Sequence, residues 1–184
     1  MIETGKILNG DCIEVMRTLP LTSVDLVVTS PPYNVGIDYD THHDSMSMED
    51  YWDFTRQWLT EAFHVLKDDG RIAVNIPYEV NVQDRGGRVL FMSEFWTIMK
   101  EVGFKFYGLV DLDENSPHRS KTTAWGSWMS PSSPYIYNPK ECVILAYKKK
   151  HIKIVKGQPE WVGEMGEVEG KDGNMRPKMM YTEQ

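Results

Sequence analysis

Hydrophobic and polar positions repeat along this chain with two different periods, one typical of strands and one typical of helices. Val24–Thr29 is a short, nearly continuous apolar run rich in β-branched residues, which predicts a strand buried on both faces. Apolar residues at helical spacing predict helices at Cys12–Leu19, Met48–Leu66 and Arg88–Val102. Further strands are predicted at Lys6–Leu8, Arg71–Ile76, Phe104–Val110 and Glu141–Lys148. Strands that alternate with covering helices predict an α/β sheet.

Turn-forming residues mark where the predicted helices begin and end. Asp11 is placed to cap the first helix, and Pro20 ends it. Lys67–Gly70 is predicted to stop the second helix, with its glycine just outside, and Gly103 closes the third.

Two stretches of the chain show neither period. Residues 111–138 are polar, rich in Ser and Pro and too long for a simple turn, which indicates a functional insertion. Residues 157–184 are glycine-rich and polar, and we expect them to lack strands and to form a poorly packed tail or linker. The predicted organisation is therefore one region at 1–156, with an insertion near 111–138, followed by the tail at 157–184.

Composition narrows the class of protein. A chain of 184 residues with 41% hydrophobic content can form one domain with a core, and no apolar run is long enough to span a bilayer. Met1–Leu8 lacks the layout of a signal peptide, so we expect a cytoplasmic protein with no membrane partner. Cys12 and Cys142 are expected to be free thiols. His42 and His43 have no partner at metal-ligand spacing, so a solvated loop is expected there and no metal.

The net charge of −7 conceals an uneven distribution of charge. Residues 118–156 hold eight Lys and Arg and a single acid, Glu141, so this segment carries +7 and the remainder −14. A basic stretch in an acidic protein indicates a face that meets a polyanion such as nucleic acid. Ordinary solvated lysines are the alternative explanation.

The tetrapeptide Ser30–Pro31–Pro32–Tyr33 directly follows the predicted strand Val24–Thr29. Two consecutive prolines cannot continue a central strand, so the tetrapeptide lies past a strand's carboxyl end, where α/β sheets bind ligands. The Ser30 hydroxyl and the Pro31 carbonyl are acceptors on a backbone that the prolines make rigid. Placed against the two N–H groups of a ring-bound amino group, such acceptors would localise its delocalised lone pair. Tyr33 offers a flat face on which a base can stack.

With Asn34 after it and Gly10-Asp11-Cys12 upstream, this tetrapeptide resembles the catalytic motif of the DNA amino-methyltransferase family, in which Asp, Asn or Ser precedes Pro-Pro and an aromatic residue. The resemblance runs from about Asn9 to about Lys149. It implies a Rossmann-like S-adenosylmethionine-dependent methyltransferase fold with a mixed sheet that is incomplete on its C-terminal side. It also implies S-adenosylmethionine as cofactor and double-stranded DNA as substrate.

The resemblance assigns roles to individual residues. The predicted catalytic residues are Ser30, Pro31, Pro32 and Tyr33. The predicted cofactor-binding residues are Asp11, Cys12 and Ser30, with helix capping as the alternative role of Asp11. The predicted DNA-binding residues are Asn34, His118, Arg119, Lys121, Trp125 and Trp128, the last five in the target-recognition insertion. The two tryptophans could instead be core anchors.

Serine at the first motif position favours N4 of cytosine over N6 of adenine, by resemblance. Amino groups of RNA or of a protein glutamine amide are disfavoured, because related enzymes for those substrates carry Asn at this position. Carbon-5 chemistry is excluded because it needs a cysteine nucleophile, and neither Cys12 nor Cys142 follows a proline.

One family feature is not found in the sequence. A glycine-rich loop, usually preceded by Asp-Pro-Phe, cradles the methionine end of the cofactor in this family. Gly163, Gly166 and Gly170 do not qualify, because they lie in an acidic region that is expected to lack strands. The loop could belong to a longer chain or to a second subunit of a split enzyme. The remaining alternative is a non-catalytic DNA-binding protein.

Overall fold

The computed structural model describes residues 5–39, 42–82, 87–112, 140–151, 161–169 and 173–181. The chain divides into two compact units, Met1–His151 and Ile152–Gln184. The helices are α1 Cys12–Thr18, α2 Met48–Val65 and α3 Phe91–Val102. The strands are β1 Val24–Thr29, β2 Asp38–Tyr39, β3 His42–His43, β4 Leu66–Pro77, β5 Val80–Val82, β6 Gly87–Val89, β7 Lys105–Leu112, β8 Glu141–Tyr147, β9 Trp161–Glu169 and β10 Met175–Tyr181.

A four-stranded sheet in the order β1-β4-β8-β7 forms the centre of the first unit. Strand β1 is parallel to β4, whereas β8 is antiparallel to both β4 and β7. Glu141 therefore pairs with Pro77 on one side and with Leu112 on the other. The carboxyl ends of β1, β4 and β7 meet the amino end of β8 at one edge, called the site edge below. The predicted mixed α/β sheet is confirmed.

The hydrophobic core lies between the helices and one face of this sheet. Alternate residues of the two central strands are buried against α2 and α3, as the two-residue period of a strand requires. They are Ile72, Val74 and Ile76 of β4 and Cys142, Ile144 and Ala146 of β8. The intervening residues of both strands, on the opposite face, are only partly buried.

The exposure of β1 differs from the prediction. Leu26 is 54% exposed and Val28 is 71% exposed, so the strand is not buried on both faces. Within the described ranges β1 pairs only with β4, and an edge strand has fewer neighbours to cover it. The predicted strand at Lys6–Leu8 is also wrong, because these residues form no ladder and Ile7 is 99% exposed.

Two predicted helix boundaries need correction. Helix α2 ends at Val65 and the strand β4 begins at the next residue, so Gly70 lies inside a strand and does not stop the helix. A Cβ atom on Gly70 would lie 2.8 Å from the Lys67 carbonyl oxygen, which explains the glycine by close packing. Helix α3 begins at Phe91 because 87–89 pairs with Val80–Val82 as a short ladder. Gly103 does close α3, in a left-handed conformation with φ 118°.

The second unit contains an antiparallel pair, β9 with β10, in which Glu169 faces Met175. The expectation that 157–184 lacks strands is therefore wrong. Apolar positions such as Val168 and Met175 are spaced too widely among charged residues to have signalled this pair. The role of the segment as a tail or linker, and the boundary near 156, stay predictions.

Candidate active site

The tetrapeptide Ser30–Tyr33 leaves β1 at the site edge, as its prolines predict. Pro31 is buried. The Tyr51 hydroxyl of α2 donates a 2.7 Å hydrogen bond to the Pro32 carbonyl. Burial raises the pKa of Tyr51, so this donor stays protonated. Among the described residues none donates to the Pro31 carbonyl, which leaves that carbonyl and the Ser30 hydroxyl as the acceptors of the motif.

Asp44 holds the backbone that follows the motif. Its buried carboxylate accepts hydrogen bonds from the backbone N–H groups of Asn34, Val35 and Ile37, at 2.7, 3.0 and 3.0 Å. Asn34 itself adopts the left-handed conformation, with φ 57°, which Asn tolerates better than most residues. The chain therefore turns sharply after Tyr33 and is tied to a fixed carboxylate.

Asn34 is fully buried, and its side-chain amide donates to the Met46 carbonyl at 2.9 Å. Burial of this side chain gives no support to the predicted DNA contact of Asn34, which stays a prediction. The observed part of Asn34 is structural, in the turn that orients the motif.

The Tyr33 hydroxyl makes hydrogen bonds with Ser30 of the motif and with one residue from each of the strands β4 and β8. Its oxygen lies 2.9 Å from the Ser30 hydroxyl, 3.1 Å from the Asn75 amide nitrogen and 3.4 Å from a Glu141 carboxylate oxygen. Asn75 also donates to the same Glu141 oxygen at 2.8 Å. Partial burial raises the pKa of Tyr33, and the Glu141 charge adds to that rise. The edge of the Tyr33 ring packs near Phe91, with the centroids 6.4 Å apart.

The sequence reasoning missed Asn75, Glu141, Asp44 and Tyr51. For two of them a signal existed. Asn75 is a polar residue two positions before the proline that ends a buried strand, and Glu141 is the single acid in the basic segment and starts a strand. Polar residues at strand ends face the ligand edge of an α/β sheet.

Asp11 caps α1, as predicted. Its Oδ1 accepts from the backbone N–H groups of Ile13 and Glu14, at 3.0 and 3.1 Å. Both Asp11 and Cys12 are exposed, and within the described part of the chain no hydrogen bond joins them to Ser30. Their cofactor role stays a prediction.

His118, Arg119, Lys121, Trp125 and Trp128 lie outside the described residues. The segment that holds them, 113–139, runs from the end of β7 to the residue before Lys140. Because Leu112 pairs with Glu141, the described residues on either side of this segment lie at the site edge.

One lysine of the basic stretch is not available to a polyanion. Lys148 is 5% exposed, and its ammonium group donates to the Leu66 carbonyl at 2.8 Å. Burial lowers its pKa. Lys149 and Lys150 are exposed, and the former pairs with Asp68 at 3.1 Å. Among the described residues of this segment, Lys148 therefore adds to the formal charge but not to the exposed charge.

Among the described residues there is no group of three or more His, Cys, Asp or Glu side chains that could hold a metal ion. Within the same ranges no helix is both long and apolar enough to cross a membrane. Cys12 and Cys142 are free, as expected.

The sequence profile of the N6/N4 DNA methylase family matches residues 24–175 of this chain. The type II methyltransferase M.MjaVI of Methanocaldococcus jannaschii is 42% identical over 154 residues, which cover 84% of this chain and 76% of that protein. The chain belongs to the N6/N4 DNA methylase family. Its relatives also include the proteins named type II methyltransferases M.HpaI of Haemophilus parainfluenzae and M.BamHI of Bacillus amyloliquefaciens.

Solved structures agree with this methylase assignment at the level of the fold. TTHA0409 of Thermus thermophilus, described as a DNA modification methylase, superposes with a TM-score of 0.56 at 22% identity, and its complex with S-adenosyl-L-methionine with 0.53. The PvuII cytosine-N4-specific DNA methyltransferase gives 0.54 at 19% identity. The methylase fold is thereby confirmed. The matches cover 76–80% of this chain but only about half of each solved chain, 48–56%.

Proposed function

We propose that this methylase transfers a methyl group from S-adenosylmethionine to an exocyclic amino group of a DNA base, at N4 of cytosine rather than N6 of adenine. The observation that carries the proposal is the tetrapeptide Ser30–Tyr33, which stands at the site edge with its backbone and its tyrosine hydroxyl both held by neighbouring elements. Family membership supports the class of reaction, and Ser30 supports cytosine by resemblance.

The chain's own residues prepare the amino nitrogen for attack. Ser30 and the Pro31 carbonyl accept its two N–H groups, which draws the nitrogen toward a tetrahedral geometry and frees its lone pair. Because the Pro32 carbonyl is already occupied by Tyr51, the two remaining acceptors match the two N–H groups in number. The prolines hold these acceptors in place before the substrate arrives, so little reorganisation is needed during the reaction.

The target base has to leave the duplex to reach these acceptors. Tyr33 is the platform on which it stacks, and its anchored hydroxyl keeps the ring from turning with the base. We retain the proposal that His118, Arg119, Lys121, Trp125 and Trp128 contact DNA. It is supported by the described residues that flank this segment, since Leu112 pairs with Glu141 at the site edge and Glu141 contacts Tyr33.

The described residues fit one part of the cofactor. When bound, S-adenosylmethionine supplies a methyl group on a positively charged sulfur. The exposed Asp11 carboxylate uses Oδ1 for both contacts with α1, so among the described residues its second oxygen can still accept from the adenine amino group. We propose that Asp11 and the neighbouring Cys12 meet the adenosine end and that Ser30 lies close to the methyl group.

Methyl transfer to DNA tests this function. The full chain is incubated with tritiated S-adenosylmethionine and unmethylated DNA, and the DNA is digested to nucleosides and analysed by mass spectrometry. Label in N4-methylcytosine is the expected result. Label in N6-methyladenine would keep the reaction and refute the base assignment. DNA binding without label would favour the alternative of a non-catalytic subunit or of one part of a split enzyme.

A further inference from the structure

The hydrogen bonds around Tyr33 form a chain with a definite direction. A carboxylate has no proton to donate, so the Tyr33 hydroxyl donates to Glu141. The Asn75 amide nitrogen donates to both oxygens, at 3.1 and 2.8 Å. Once the tyrosine proton points at Glu141, the contact between Ser30 and Tyr33, at 2.9 Å, has only one remaining donor, which is the serine.

The orientation of the Asn75 amide supports this direction. If the amide were reversed, its oxygen would face the Glu141 carboxylate, and two acceptors would meet without a proton between them. In the observed orientation the Asn75 oxygen is buried and has no partner among the described residues. Within the described ranges, the orientation that places the two N–H donors against Tyr33 and Glu141 is thus present even though it leaves the amide oxygen unpaired.

The direction decides what Ser30 can do. A serine hydroxyl has one proton and two lone pairs, and without constraint it could donate its proton to the amino nitrogen. Such a bond would occupy the lone pair that has to attack the methyl group. A serine whose proton is already given to Tyr33 can only accept.

We propose that Glu141 is a positioning residue that acts through Tyr33 to fix Ser30 as a hydrogen-bond acceptor for the target amino group, with Asn75 holding the two partners together. This inference rests on the proposed function of the same site. It adds two residues from the central strands β4 and β8 to a motif that follows the edge strand β1.

Steady-state kinetics of four variants test the proposal: Glu141→Gln, Tyr33→Phe, the double variant and the control Asp111→Asn. Glu141→Gln removes the charge and permits the reverse direction, so we expect kcat to fall about tenfold, the effect of one hydrogen bond, with KM for DNA little changed. Tyr33→Phe keeps the stacking ring and should lower kcat by a similar factor. Because Glu141 acts through the tyrosine hydroxyl, adding Glu141→Gln to Tyr33→Phe should cause no further loss.

The control variant Asp111→Asn tests whether removing a negative charge near Glu141 is enough by itself to lower kcat. Asp111 lies in strand β7, before the residues proposed to contact DNA, and pairs in register with Cys142, next to Glu141. Its carboxylate accepts from Tyr78 and not from Tyr33. Asp111→Asn should therefore keep the wild-type kcat. Equal losses in Asp111→Asn and Glu141→Gln, or additive losses in the double variant, would overturn the proposal.

A second measurement does not depend on activity. The carbon-13 signal of the Tyr33 ring, assigned by comparison with Tyr33→Phe, reports its ionisation. Since the Glu141 charge and hydrogen bond both raise the pKa of Tyr33, we expect Glu141→Gln to lower it. An unchanged titration would show that Glu141 does not govern this hydroxyl, even if the wild-type chain proved unable to methylate DNA. Absence of methylation with a shifted titration would refute only the proposed function.

Discussion

The residues proposed to bind the base (the base side) and those proposed to bind the cofactor (the cofactor side) differ in how closely the described part of the chain surrounds them. On the base side, the Tyr33 hydroxyl accepts from Asn75 of β4, donates to Glu141 of β8 and contacts Ser30, and its ring packs against α3. The turn after it is tied to a buried carboxylate. On the cofactor side, Asp11 and Cys12 are exposed, and Ile7 before them is 99% exposed. Among the described residues, those proposed to bind the base are therefore closely held by their neighbours, and those proposed to bind the cofactor are exposed.

The reason for the difference lies in the sheet. Strands β4 and β8 each have a neighbour on both sides, so side chains at their ends have fixed surroundings. Strand β1 is an edge strand within the described ranges, and its Leu26 and Val28 face away from the helices without cover. Side chains beyond the free edge of β1 thus have fewer described partners than those beyond β4.

Ser30→Ala should have the largest effect on kcat, and it tests the base side. Removing one preorganised hydrogen-bonding group from a reacting centre costs about 100- to 1000-fold in kcat. Ser30 is exposed, so unfolding free energy should change by less than about 0.5 kcal/mol. Ser45→Ala, at an exposed serine in the loop that follows, is the matched control. Methyl transfer at the wild-type rate by Ser30→Ala would refute the role of the motif.

Asp44→Ala should produce the largest loss of stability on the same side. Three backbone N–H groups would lose their acceptor, and at about 1 kcal/mol each the unfolding free energy should fall by about 2–4 kcal/mol. Urea denaturation measures this change. Asp53→Ala removes an exposed carboxylate from α2 that, among the described residues, pairs with solvent-accessible Arg56. It should cost less than about 1 kcal/mol. Equal losses in the two variants would show that Asp44 does not hold the turn.

Local signals in the sequence predicted the features that depend on neighbouring residues. The cap at Asp11, the stop at Gly103 and the placement of Ser30–Tyr33 past a strand were all correct. Each is fixed within a few positions of the chain, by a side-chain acceptor, a left-handed glycine or a pair of prolines.

The features that the sequence did not predict depend on distant pairing. Glu141 meets Tyr33 across 108 positions and Asn75 across 66, and only the strand order β1-β4-β8 brings them together. The exposure of β1 has the same cause, since an apolar run shows that a strand can be buried but not which neighbours it has. At Gly70 a local signal was misleading. In the sequence, a glycine that close packing requires inside a strand cannot be told from a glycine that ends a helix.

Substitution of Asp11 should have the smallest effect, and it tests the cofactor side. Asp11→Ala should lower the unfolding free energy by about 1 kcal/mol through loss of the α1 cap, whereas Asp11→Asn keeps a capping oxygen and should cost only a few tenths. Calorimetric titration of S-adenosylmethionine then separates the two roles. If the carboxylate meets the cofactor, Asp11→Asn should weaken binding about three- to tenfold, the effect of one hydrogen bond, at nearly unchanged stability. Equal affinities in wild type and Asp11→Asn would leave Asp11 as a helix cap alone, and the adenosine end would then have to be held by residues outside the described ranges or by a second chain.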